Sequence, residues 1–207
     1  QSRLHVDQLS FVAPYEAPPR DRLLAGLRLA KEPGSITLAG VIDPLGKRGN
    51  LELNASRLPL ARTTERWILV SGQGNISYEH DTLSLGGKII ADAGLISQPA
   101  AGRPQLSGDV VIIGRQTAAS KGLSITVDAI LDLGERLYLR ASGLEARLAG
   151  QVRLRGTPAQ PLRATGTIAT RDASFQAYGQ KLTVERGIVN FQGSLDNPGL
   201  NILALRK

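Results

Sequence analysis

From residue 35 to the end, apolar and polar positions alternate with period two. That is the pattern of strands with one dry and one wet face. The clearest case is Leu144-Glu-Ala146-Arg-Leu148-Ala-Gly150-Gln-Val152-Arg-Leu154-Arg155. One face carries Leu144, Ala146, Leu148, Gly150, Val152 and Leu154, and the other Glu145, Arg147, Ala149, Gln151, Arg153 and Arg155. The pattern predicts strands at 36–42, 50–56, 66–79, 82–92, 105–114, 123–132, 137–141, 143–155, 162–171, 173–178, 181–185, 187–192 and 200–205. Breakers such as Asp43-Pro44-Leu45-Gly46, Gly94, Gly134 and Asp196-Asn197-Pro198-Gly199 separate them. Short connections imply antiparallel neighbours, so the expected fold class is all-β, a long antiparallel meander. Residues 1–207 read as a single elongated β domain, with halves 1–114 and 123–207 joined by the loop 115–122.

A second pattern runs through these strands. Glycine recurs in phase with apolar residues at Gly40, Gly87, Gly108, Gly150, Gly166 and Gly193. A glycine inside a strand marks a bulge, a bend or the close approach of another backbone. Gly87, Gly150 and Gly166 are therefore expected to let the strands curve toward their apolar face. Only Pro19 to Lys31 departs from the period, with Leu23, Leu24 and Leu27 at helical spacing. Gly26 weakens a helix there, and Leu27-Arg-Leu29 alternates, so a strand is the favoured expectation.

Composition narrows the chemistry. Eight residues are aromatic and cysteine is absent, so the interior is aliphatic and neither disulfides nor thiolate chemistry contributes. The net charge of +7 raises nucleic acid as a partner. The basic residues are scattered, however, and mostly alternate with apolar ones. They read as a solvated outer face, with attraction to acidic lipid head groups or an acidic partner as the other reading. No segment approaches a membrane-spanning helix. The chain opens without a signal peptide and stops directly after an apolar strand, which reads as a fragment of something longer.

Catalytic signals are missing. His5 and His80 are far apart, and His80-Asp81 reads as a turn. Ser71-Gly72-Gln73-Gly74 and Gly86-Gly87-Lys88 lack phosphate-loop spacing. Asp128 and Asp132 share a face but sit in an ordinary strand pattern, and Asp92, Asp109 and Asp172 read as strand-edge or turn residues. No enzyme, no cofactor and no metal site is predicted.

The last third resembles the C-terminal region of the TamB family, the inner-membrane-anchored subunit of the translocation and assembly module. The resemblance rests on Gly143 through Pro158, on Phe175-Gln-Ala-Tyr-Gly-Gln180, on Leu182 through Phe191 and on Asp196-Asn-Pro198-Gly-Leu-Asn-Ile202. It extends over residues 83–206. It implies a periplasmic β-sheet curled into a U with an apolar groove, as in AsmA-like bridge proteins that carry phospholipid toward the outer membrane. It also implies an outer-membrane barrel partner of the Omp85 type and, as an alternative role, outer-membrane protein assembly; nucleic acid is excluded as a partner by the scatter of the basic residues. The groove-lining residues on this reading are Leu83, Leu85, Ile89, Leu144, Leu148, Val152, Leu154, Ile168, Leu182, Val184, Val189, Phe191 and Ile202. On phase alone, the same residues fit the core of a closed sandwich better; the resemblance reverses that preference.

Overall fold

A computed structural model describes residues 3–63, 65–98, 123–177 and 179–206. Among these residues all the strands join one sheet of eleven. In chain order they are β1 (Leu4–Ala13), β2 (Gly34–Asp43), β3 (Arg48–Arg62), β4 (Arg66–Glu79), β5 (Thr82–Gln98), β6 (Ser124–Asp132), β7 (Leu137–Ala141), β8 (Leu144–Thr157), β9 (Gln160–Ala177), β10 (Gln180–Ser194) and β11 (Gly199–Arg206). Spatial order follows sequence order, except that β6 and β7 together occupy one level between β5 and β8. Ten levels at about 4.8 Å give roughly 43 Å measured along the sheet from β1 to β11.

The sheet is mostly antiparallel, as the short turns dictate, with one departure from a pure meander. β6 and β7 both run parallel to β5. A parallel neighbour needs a crossover of a dozen residues or more, and the chain between Gln98 and Ser124 has that length. The expected strand at 105–114 and the loop 115–122 lie outside the described residues. β1 was not anticipated, because its polar positions interrupt the alternation around a register shift between Val6 and Leu9.

Two expected breaks are bulges inside long strands. The strands expected at 162–171 and 173–178 are one strand, β9, in which Asp172 takes a left-handed φ of 51°. Those expected at 181–185 and 187–192 are likewise one strand, β10, with a register shift against β11 between Val184 and Arg186. Similar shifts occur beside Arg57 in β3 (φ 47°) and between Leu69 and Val70 on β4. The gap 133–136 separates β6 from β7 at the same level. Through the pairing registers these irregularities form one line across the sheet from β3 to β11. Bulges bend a strand and increase its twist, so the sheet bends along that line. Hydrogen bonds mark it: the Arg57 N–H donates to Ser71 Oγ at 2.9 Å, and Ser71 Oγ–H donates to Asp92 at 2.6 Å.

The segment 19–31 is neither the favoured strand nor a long helix. It holds a single 3₁₀ turn, Arg22–Leu24, capped by Asp21, whose side chain accepts the Leu23 N–H at 2.9 Å. Its leucines all serve one patch of the sheet, which a strand would prevent by pointing alternate residues away. Leu24 is buried with Trp67, Leu69, Ala93 and Leu95, and Leu23, Leu27, Leu29 and Tyr138 pack around them. The segment leaves β1 and returns to β2, but it is pinned to β7 and β8. Arg140 donates to Asp21 at 2.7 and 2.9 Å and to Glu145 at 2.8 Å, while Arg22 reaches Glu145 at 2.5 Å. It is a strap across the sheet.

Candidate functional site: an apolar sheet face

The registers determine which side chains share a face. Leu85 stands opposite Ile76 and Val127; Leu131 opposite Val152; Gly150 opposite Ile168; Ile168 opposite Val189. Continuing outward, Gly40 pairs with Leu51 and Val6, and Gly187 with Ile202. The result is one apolar face that continues through all eleven strands. All thirteen sequence-derived candidates fall on it: Leu83, Leu85, Ile89, Leu144, Leu148, Val152, Leu154, Ile168, Leu182, Val184, Val189, Phe191 and Ile202. The switch from even to odd positions between Val184 and Val189 is the work of the β10 bulge.

The face is dry in composition but only half covered. Val152 is buried, Ile89 and Ile202 are 43% and 67% exposed, and the others are half-buried. Among the described residues no large side chain falls below 2% exposure. A buried cluster on this face gathers at the bend line, where Ala91, Leu133 and Leu137 meet Ile96, Leu131, Leu148 and Ile168. Near the β2–β3 hairpin a concavity of about 280 Å³ is lined by Ile42, Pro44, Lys47, Leu51, Ile76 and Tyr78. A larger one of about 670 Å³ beside it is lined by polar groups, including Arg3, Asp43, Arg48 and His80; its chemistry is that of a solvated rim.

The glycines of the repeated phrase lie on the apolar face in a backbone conformation of their own. Gly150 has φ 130° and Gly166 φ 135°, a region that L side chains rarely adopt. A Cβ on Gly150 would collide with the Thr167 carbonyl, and one on Gly166 with the Gln151 carbonyl. The two glycines thus admit the close approach of β8 and β9 from both sides. Gly87, at φ 144°, does the same against Gln73 between β5 and β4. Gly108 lies outside the described residues.

The opposite face carries the charge. Asp128 is bound by Arg153 in two bonds of 2.7 Å and by Arg155 at 3.5 Å, and the Arg153 guanidinium holds its carboxyl below the usual range. Asp132 accepts the Gly134 N–H and the Lys88 ammonium, each at 3.0 Å, and both lower its pKa. Arg147 joins Glu135 and Asp172 across the bend line at 3.1 and 2.7 Å. The structure therefore places the aspartate pair in separate ion pairs. His80 sits in the β4–β5 turn beside Glu79, its side chain 90% exposed.

A model of the TamB C-terminal domain matches residues 26–207. The chain belongs to the TamB C-terminal domain family. It is 30% identical over 97 residues to the translocation and assembly module subunit TamB of Haemophilus influenzae. That stretch is 46% of this chain and 7% of the relative, so the match covers a small part of a much longer protein. The family match takes in β2 to β11, including N-terminal strands that the sequence motifs left out. On those strands Leu38, Leu51 and Ile76 extend the apolar face. Their alternation was visible in the sequence, but only the registers align them with the C-terminal half.

Proposed function

We propose that the apolar face of this TamB-family segment lines a groove that shelters lipid acyl chains. The segment would form part of a periplasmic bridge carrying phospholipid between the inner and outer membranes. The observation that carries the reading is the continuity of the apolar face from one edge of the sheet to the other. Sheet backbones satisfy their own hydrogen bonds, so the face offers methyl groups without exposed peptide polarity. Each sheltered methylene is worth about 0.8 kcal/mol, and with polar groups so sparse on this face an acyl chain can slide along it. The full-length protein would be anchored in the bacterial inner membrane and meet an outer-membrane barrel of the Omp85 type. The role is binding and conduction, without catalysis. The name of the Haemophilus relative, a translocation and assembly module subunit, supports a role in envelope assembly.

The test is a charge placed on the face. Leu148→Arg or Val152→Asp in the full-length protein should block delivery of phospholipid to the outer membrane while the protein accumulates normally. Unchanged delivery counts against the groove.

A second reading is favoured by the edges. Among the described residues β1 and β11 each pair on one side only, and a free edge accepts a client strand by β-augmentation. On that reading the segment is a chaperone or scaffold for outer-membrane proteins. Crosslinkers along β11 should then capture nascent barrel strands, whereas lipid captured on the apolar face would favour the groove.

A further inference from the structure

The outer face of β8–β10 contains an arrangement that folding alone disfavours. Arg155 stands directly opposite Arg163, and Arg147 directly opposite Arg171. Like charges placed face to face across strands destabilise a sheet. The same β9–β10 register that pairs Ala173 with Val184 and Ala169 with Ile188 aligns Arg171 with Arg186. Three arginines thus form a row across adjacent strands, about 4.8 Å apart from strand to strand. Arg147 has carboxylate partners, but Arg163, Arg171, Lys181 and Arg186 are exposed and make no ion pair among the described residues. Residues 144–194 hold seven basic and three acidic side chains, a net +4 out of the chain's +7.

The row continues into apolar side chains. Leu203 on β11 stands opposite Arg186, and Leu205 opposite Thr183, on the same outer face. They are 41% and 45% exposed.

We infer that this outer strip docks on an anionic phospholipid surface. Guanidinium groups in a plane meet lipid phosphates wherever they fall, and leucines beside them enter the acyl boundary. A bilayer supplies both kinds of contact in one plane. An acidic protein would have to place discrete carboxylates opposite each arginine and still cover the leucines. The strip lies on the face opposite the proposed groove, so this inference stands independently of that function.

The test is sedimentation of the 207-residue chain with vesicles. The chain should bind vesicles of equal parts phosphatidylglycerol and phosphatidylcholine, lose binding as salt is raised, and ignore pure phosphatidylcholine. Arg171→Gln combined with Arg186→Gln should lower partitioning about 30-fold, from roughly five-fold per basic residue at an anionic surface. Arg66→Gln, an exposed charge on β4 far from the strip, should leave vesicle binding unchanged, and Trp67 emission checks that each variant is folded. Equal binding by the double-arginine variant, equal binding to pure phosphatidylcholine, or a comparable loss of binding in Arg66→Gln would each overturn the inference. So would salt-sensitive binding to polyglutamate without binding to vesicles, which would assign the strip to an acidic polypeptide.

Discussion

Asp21 and Arg140 are 119 residues apart in the chain, yet the carboxylate takes two guanidinium hydrogen bonds at 2.7 and 2.9 Å. That pair closes the strap over Trp67, the only tryptophan of the protein and one of its most buried large side chains, at 3% exposure. The protein thus has a built-in reporter on its outer face. Arg140→Ala should release the strap, shift Trp67 emission to the red and expose 14–33 to proteases. Leu24→Ala should have the same effect and cost about 2–4 kcal/mol, the usual range for truncating a buried leucine. Emission unchanged in both variants would show that the strap does not depend on these anchors.

The same anchor should respond to acid. Hydrogen bonding from Arg140 is the main reason the Asp21 carboxyl titrates below its ordinary value. Burial pushes Glu145 up, but the hydrogen bonds from Arg22 and Arg140 outweigh it and leave its carboxyl low as well. A carboxylate lowered on folding contributes stability that is complete above its unfolded pKa. The contribution is lost as pH falls through the lowered value. Trp67 emission should therefore stay flat above about pH 5 and shift only below about pH 4. Asp21→Asn should already be shifted at neutral pH and lose most of the acid step.

Gly150 tests whether the in-phase glycines are required by geometry. Gly150→Val combines a backbone angle that valine resists with a Cβ inside the Thr167 carbonyl. It should destabilise the sheet by about 3 kcal/mol or more and unpair β8 from β9. Gly26→Ala is the control, because its Cβ meets nothing within 4 Å, and it should be nearly neutral. Thermal melts of the two variants give the comparison, and equal melting temperatures would remove the geometric role of Gly150.

Much of this was legible in the residues because a strand writes its faces into the sequence with period two. The Leu144–Arg155 alternation specified both faces of β8; the expected break at Asp172 marks a real bulge, and the one at Arg186 falls one residue past the bulge at Glu185. What alternation cannot supply is register, or which strands meet. The parallel run of β6 and β7 against β5 depends on a long connection, and local pattern is silent about it. The strap was misread for a similar reason. Leu23, Leu24, Leu27 and Leu29 serve a patch on strands far away in sequence, so tertiary contact overrides their spacing. The arginine rows became visible only once β8, β9 and β10 were aligned side by side.

The central claim is that lipid acyl chains are held along the apolar face. Photo-crosslinking in the full-length protein, with probes at Leu85 and Leu148 on that face and at the paired residues Ser84 and Thr126 on the outer face, away from the arginine strip, tests it directly. Phospholipid adducts are expected at Leu85 and Leu148, and far fewer at Ser84 and Thr126. Equal lipid capture at all four positions, or protein adducts alone at Leu85 and Leu148, would contradict it.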